Sequence, residues 1–210
     1  MIGLRLTVPI ACWRRGAARS YWETEPLPPP STVYGSLLSL VGELDRERHA
    51  GCRLTAGLVR APAISTVLRK VWRVKDKKVA PGQGVNAVPE YQELAVDSEL
   101  IVWIDSSNEP GNPSLEQRIR STFGGDVGPR FGGWSLGEST HLINDAWPIE
   151  PESWTDPARV FVIREPGELS LPVWVDHVGA AGTQRVIGSL IEMSKAPSFD
   201  EMPVIAAERR

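Results

Sequence analysis

In Leu27-Pro28-Pro29-Pro30-Ser31-Thr32-Val33-Tyr34-Gly35-Ser36-Leu37-Leu38 a stiff proline run passes directly into a helix. Consecutive prolines hold the backbone extended. Ser31 or Thr32 then stands where a side-chain oxygen caps a helix whose apolar face is Leu37, Leu40, Val41 and Leu44. Upstream, Ile2, Leu4, Leu6 and Val8 alternate with Gly3, Arg5 and Thr7, the period of a half-buried strand that Pro9 ends. Between this strand and the helix lies a long loop, and long loops in compact domains tend to carry function.

Downstream, Arg53–Arg60 and Ile64–Val74 read as strands, and Pro81-Gly82-Gln83-Gly84 separates the second from an extended arm at Glu90–Val96. The two arms form a charged, projecting hairpin. Glu99–Asp105 is a further strand, with Leu100, Val102 and Ile104 alternating. Asn112-Pro113 opens a second helix with Leu115, Ile119 and Phe123 on one face, stopped by Gly124. Strand–helix–strand–strand–helix, with one more strand expected, is the order of an α+β, ferredoxin-like domain, which is also the RNA-recognition fold. It is expected over residues 1–145, with the hairpin at about 66–96. Residues 146–194 form a small all-β subdomain with strands at Val160–Arg164, Leu169–Val175 and Arg185–Met193, and 195–210 form a flexible tail.

The 210-residue chain has an ordinary composition, 41% hydrophobic and 23% charged, which excludes wholesale disorder. No run is long and apolar enough for a bilayer, and the first residues alternate like a strand rather than a signal peptide, so no membrane role is expected. Cys12 and Cys52 are too few for a disulfide framework, which suits a reducing cytoplasm. No metal spacing links them to His49, His141 or His177, and no cofactor is expected.

Charge is distributed unevenly. The net charge is −3, yet Arg60, Arg69, Lys70, Arg73, Lys75, Lys77 and Lys78 face only Asp76 within their stretch, a local +6. Arg14, Arg15 and Arg19 form a smaller cluster beside Trp13, Tyr21 and Trp22. Basic patches on an acidic body suit a subunit that meets a polyanion on one face and protein on others.

Three features can carry binding. The first amides of the helix after Pro30 can receive a phosphate, although from the residues alone a purely structural capped helix is the favoured reading. Gly124-Gly125-Asp126-Val127-Gly128-Pro129-Arg130-Phe131-Gly132-Gly133-Trp134-Ser135-Leu136-Gly137-Glu138-Ser139 can bring backbone close to a ligand. It lacks the Gly-Lys-Ser/Thr of a nucleotide-binding loop, and a plain flexible loop is the alternative. In the basic arm, cations can neutralise phosphates while Trp72, with Trp13 and Trp22 of the early loop, offers faces for bases; the alternative places these tryptophans in the core. Hydrolytic chemistry has little support: His49 is expected at the surface, His141 as a structural histidine, and no nucleophile–base set stands out.

The proline-rich segment Pro28-Pro29-Pro30-Ser31-Thr32-Val33-Tyr34-Gly35 after a first strand and long loop, the basic hairpin, and Trp134-Ser135-Leu136-Gly137-Glu138-Ser139 together resemble CRISPR-associated protein family five. The resemblance spans most of residues 1–145. It implies a non-catalytic subunit of a type I Cascade complex that holds the 5′ handle of the CRISPR RNA and caps the backbone filament. The partners it implies are the CRISPR RNA, the backbone subunit, the large subunit that reads the protospacer-adjacent motif, and target DNA within the complex. Carried onto this sequence, Trp13, Arg14, Arg15, Arg19, Tyr21, Ser31, Thr32, Arg130, Gly132, Gly133 and Trp134 become handle-binding positions. Arg69, Lys70, Arg73, Lys75, Lys77 and Lys78 become the gripping thumb. Some branches of the family cut precursor RNA, but the histidine–lysine–tyrosine grouping this needs is missing at the early positions. Two alternatives stand beside this reading: an endoribonuclease using His141 or His49 as general base, and a tryptophan-rich carbohydrate-binding module.

Overall fold

The first strand, β1 (Ile2–Ala11), turns Ile2, Leu4, Leu6 and Val8 into the core as its alternation requires. It runs past Pro9, where the sequence expectation ended it. The ladder skips that residue, pairing Val8 with Ser98 and Ile10 with Val96, so the missing proline amide falls opposite Asp97. The coordinates, a computed structural model, describe residues 1–16, 21–130, 132–178 and 181–206.

A two-residue strand, β2 (Tyr21–Trp22), leads to helix α1 (Pro30–Leu40). Neither Ser31 nor Thr32 caps α1; Pro29 is the N-cap with no side-chain bond, and Pro30 takes the first helical position. The helix is shorter than its apolar pattern: Gly42 turns the chain at φ +69, and Leu44 is exposed rather than core. Strand β3 (Arg53–Arg60) follows, then β4 (Ala63–Trp72) and β5 (Ala87–Asp105). The two extended segments expected at Glu90–Val96 and Glu99–Asp105 are one 19-residue strand. Asp97 absorbs the change of course between them with a left-handed φ of 60. Helix α2 (Leu115–Phe123) starts at Ser114, whose capping box with Gln117 displaces the expected start at Asn112-Pro113.

The remaining strands are β6 (Asp145–Ile149), β7 (Ala158–Ile163), β8 (Leu169–Trp174) and β9 (Gln184–Met193). The path of the sheet is β6-β1-β5-β3-β7-β9-β8, with β2 and β4 attached to β5. The C-terminal strands are therefore no separate unit: β7 pairs with β3 through Gly57–Val160 and Leu58–Arg159, continuing the sheet.

Residues 195–206 are not loose either. Val204 bridges Arg53, the Leu54 amide donates to the Pro203 carbonyl, and Arg53 donates to the Phe199 and Met202 carbonyls. Met202 and Ile205 are fully buried, so two apolar anchors outweigh the polar composition of this segment.

Both faces of the sheet's central strands are covered. On one, Val33, Leu37, Leu38, Leu40, Leu115 and Ile119 of the helices pack on β1, β3 and β5. On the other, Trp154 stands edge-on to Trp103 at 6.0 Å among Ile101, Val160, Val162 and Met202. Arg5 lies over the Trp154 ring and pairs with Glu99 and Asp156, which seals this face at its rim.

Candidate nucleic-acid interface

The segment after the glycine loop joins the elements that the sequence left apart. Trp13 is buried, and its indole donates to the Leu136 carbonyl at 3.3 Å. His141 is buried as well, and its Nδ1 accepts from the Cys12 and Glu138 amides at 3.2 and 3.3 Å. Two amides on Nδ1 select the neutral tautomer with the proton on Nε2. Burial accordingly depresses the His141 pKa. Next to Gly137, the Glu138 carboxylate takes Arg69 at 2.9 Å and Gln92 at 2.8 Å. Early loop, glycine loop and hairpin thus meet within residues 134–141.

On one side of this junction lies a groove of ≈ 710 Å³ between the start and outer face of α1, the glycine loop and the end of β8. Ser31, Thr32, Arg130, Ser135 and Gly137 line it together with Arg46 and Trp174. The Thr32 and Val33 amides fold back onto the Pro29 carbonyl, while the Ser31 Oγ is buried with no protein partner. Arg46 stacks on Trp174 at 4.4 Å and donates to the Val175 carbonyl at 3.0 Å, fixing a cation on the apolar wall. The groove is held to its width from both ends. The Trp134 indole donates to Ser36 Oγ at 2.8 Å, and Ser36 Oγ in turn donates to the Ser135 carbonyl at 2.7 Å. At Gly42 any side chain would meet the Pro129 carbonyl.

On the other side the hairpin divides its charges. Arg69 pairs with Glu138 and lies 5.0 Å from Trp22, which Arg14 also covers at 4.3 Å. Arg73 pairs with Glu90. Lys70, Lys75, Lys77 and Lys78 are exposed and make no ion pair among the described residues; the same holds for Arg130. Asn86 holds the Lys75 and Asp76 amides and so shapes the tip that presents these lysines.

The sequence-predicted positions therefore separate. Ser31, Thr32 and Arg130 share the groove. Gly132 and Gly133 are exposed beside it, Gly132 at φ +68. Trp13 and Trp134 anchor backbone; Trp13, at 1% exposure, has no free face for a base. Arg15 pairs with Glu23 and Glu25, and the Tyr21 hydroxyl donates to Glu93 at 2.8 Å. Arg19 lies outside the described residues.

His49 is the opposite of what its charged neighbours suggest. It is fully buried between Glu109 at 2.8 Å and Arg118 at 3.0 Å, because the chain turns inward after Arg48. Arg46 and Trp174 are the groove residues that sequence reasoning missed. The arginine looks like one of several surface charges, and Trp174 arrives from a distant strand, so no local pattern marks them. Among the described residues no cluster of His, Cys, Asp and Glu could hold a metal ion, and no helix is long and apolar enough to cross a membrane.

No family model matches the chain. A curated protein of Myxococcus xanthus (strain DK1622), CRISPR-associated protein Cas5, is 54% identical over 208 residues, covering 98% of this chain and 97% of that one. The chain belongs to the Cas5 family. Solved structures share the fold of this Cas5 member at low identity. A CRISPR RNA-guided surveillance complex chain superposes with a TM-score of 0.59 at 12% identity, covering 95% of both chains. A second structure, described as a Cas protein, gives 0.52 at 14% identity, covering 91% of this chain and 93% of that one.

Proposed function

We propose that this Cas5 member is a non-catalytic, RNA-gripping subunit of a type I Cascade surveillance complex in the cytoplasm. It holds the 5′ handle of the guide RNA and caps the backbone filament. The observation that carries this reading is the groove in which Ser31, Thr32 and Arg130 converge, one residue from the Glu138–Arg69 contact that leads onto the basic hairpin. A helix start with an unpartnered hydroxyl, a free guanidinium and exposed glycine backbone suits a phosphate with its attached nucleoside. From there the strand passes to Lys70, Lys75, Lys77 and Lys78, whose free charges suit further phosphates. The hairpin is in this reading the thumb of a ferredoxin-like domain; the order β6-β1-β5-β3, with α1 and α2 on one face, supports that assignment.

In RNA-recognition domains, bases stack on the open face of the sheet. Here Trp154 and Met202 occupy that face, which supports binding along the loops at its rim. His141 has its Nδ1 engaged by two amides and His49 is sealed inside, so neither is placed to take a proton from a ribose. The backbone subunit, the large subunit that reads the protospacer-adjacent motif, and target DNA within the complex follow as partners.

An electrophoretic mobility shift with repeat-derived RNA at several salt concentrations tests this. Binding that weakens as salt rises, and that Arg130→Ala weakens further, is the expected result. Binding indifferent to salt and to Arg130 removes the groove assignment. Metal-independent cleavage of that RNA, lost in His141→Ala, overturns the non-catalytic reading.

A further inference from the structure

Strand β4 leaves one edge open. Among the described residues it pairs with β5 alone, in an unbroken register from Ala63–Val96 to Trp72–Ala87. An open edge offers alternating N–H and C=O groups to any chain that can pair with it, and proteins blunt such edges with proline, bulges or shortness. The other edges of this sheet are blunted. β6 is five residues long and contains Pro148, and β8 contains Pro172 with a register shift beside it. β4 has ten residues, no proline and no shift.

The same strand carries an unspent apolar face. Alternation puts Ile64, Leu68 and Trp72 on one side, 56%, 64% and 71% exposed. The register sets Tyr91 beside Leu68, and Tyr21 beside Tyr91, so the patch crosses three strands. Arg69, Gln92 and Glu90 occupy the opposite side and are engaged there by Glu138 and Arg73. Glu93 shares this side but is already engaged by the Tyr21 hydroxyl and the Thr24 amide, and an aromatic-rich patch whose acid is satisfied has the composition of an interface core.

We propose that the open edge of β4 is a docking strand for an extended segment of a neighbouring protein subunit, which pairs with it and covers Ile64, Leu68 and Trp72. This rests on the reading of the chain as part of a larger assembly. Trp72 and Tyr91 offer faces to a base, but Ile64 and Leu68 along the same strand do not, and a phosphodiester strand has no regularly spaced N–H donors to return to the β4 carbonyls. Charge adds a requirement on the partner. Lys70 sits between Leu68 and Trp72 on the same side, and Lys75, Lys77 and Lys78 follow at the tip. The incoming segment is therefore apolar at alternate positions and carries no Lys or Arg where it passes Lys70 and the tip, whose charges stay with the RNA.

Amide hydrogen exchange of residues 63–72 tests this. It is measured in the free chain and in the ribonucleoprotein made by coexpression with the CRISPR-associated subunits of the same locus and repeat RNA. The expected result is at least about tenfold slower exchange at alternate β4 amides in the complex. An Ile64→Gln, Leu68→Gln double variant, which adds no charge beside the lysines, is expected to lose its place in that complex while keeping its melting temperature and its affinity for repeat RNA. Unchanged exchange in a complex that contains the chain overturns the docking strand and leaves the groove reading standing. Protection by repeat RNA alone overturns it in favour of nucleic acid, and protection that grows with the concentration of the free chain overturns it in favour of a second copy. A ribonucleoprotein that excludes the wild-type chain overturns both the docking strand and the assembly reading.

Discussion

The two halves of β5 are one strand with two characters. From Leu100 to Ile104 every side chain is fully buried, held by β1 and β3 and covered on both faces. From Ala87 to Ala95 the strand leaves the core with β4, and Tyr91 is exposed beside the polar pairs of Glu90 and Gln92. The contrast teaches that the hairpin takes its rigidity from the core while contributing little apolar burial of its own. Changes in the inner half should therefore be felt as stability, and changes in the outer half as binding.

Leu100→Ala should break the inner half hardest. A large-to-small change at a fully buried site costs about 2–5 kcal/mol, or roughly 5–15 °C in melting temperature for a chain of this size, read by calorimetry. Gly42→Ala comes next. Its left-handed φ and the facing Pro129 carbonyl should cost about 1–3 kcal/mol and also loosen RNA binding, because the glycine loop must move away from α1. A variant with unchanged RNA affinity would detach groove width from function.

In the outer half, Lys75, Lys77 and Lys78 replaced together by Ala should leave the melting curve in place. The log–log salt dependence of guide-RNA binding should flatten by about 2, as expected for three single-strand phosphate contacts. An unchanged slope would reduce the tip to a solubilising loop.

The smallest effect concerns acid. Glu43 accepts the Asp45 amide and pairs with Arg118 and Arg48, and these contacts lower its pKa from 4.5 to about 2. A lowered folded-state pKa gives stability that is present above pH 4.5 and fades as pH falls toward 2. Glu43→Gln should be less stable than wild type at neutral pH, and the difference should shrink over that window in denaturant titrations.

What the sequence shows clearly is what local periodicity encodes. The alternation of β1, the bounds of β3 and the Leu115–Ile119–Phe123 face of α2 all stand in the structure as read. The continuity of β5 was hidden because Asp97 and Ser98 look like a turn, and only pairing with β1 on one side and β4 then β3 on the other keeps the strand intact. In the candidate site, the helix start and glycine loop are visible as composition, whereas the Arg46–Trp174 wall depends on β8 closing beside α1. The burial of His49 and Trp13 is likewise a tertiary fact: each lies among polar neighbours in sequence and among distant partners in space.

The docking of residues 199–205 against Arg53, Leu54 and Cys52 has a consequence for the order of events in biosynthesis. These residues leave the ribosome long after β3 and both helices have emerged. Until they arrive, the start of β3 lacks its last backbone partners, and the surface around Trp103 lacks Met202. A nascent chain stalled before Phe199 should therefore be a sticky, protease-sensitive species, and this Cas5 member should become ready for assembly only once residues 199–205 have emerged.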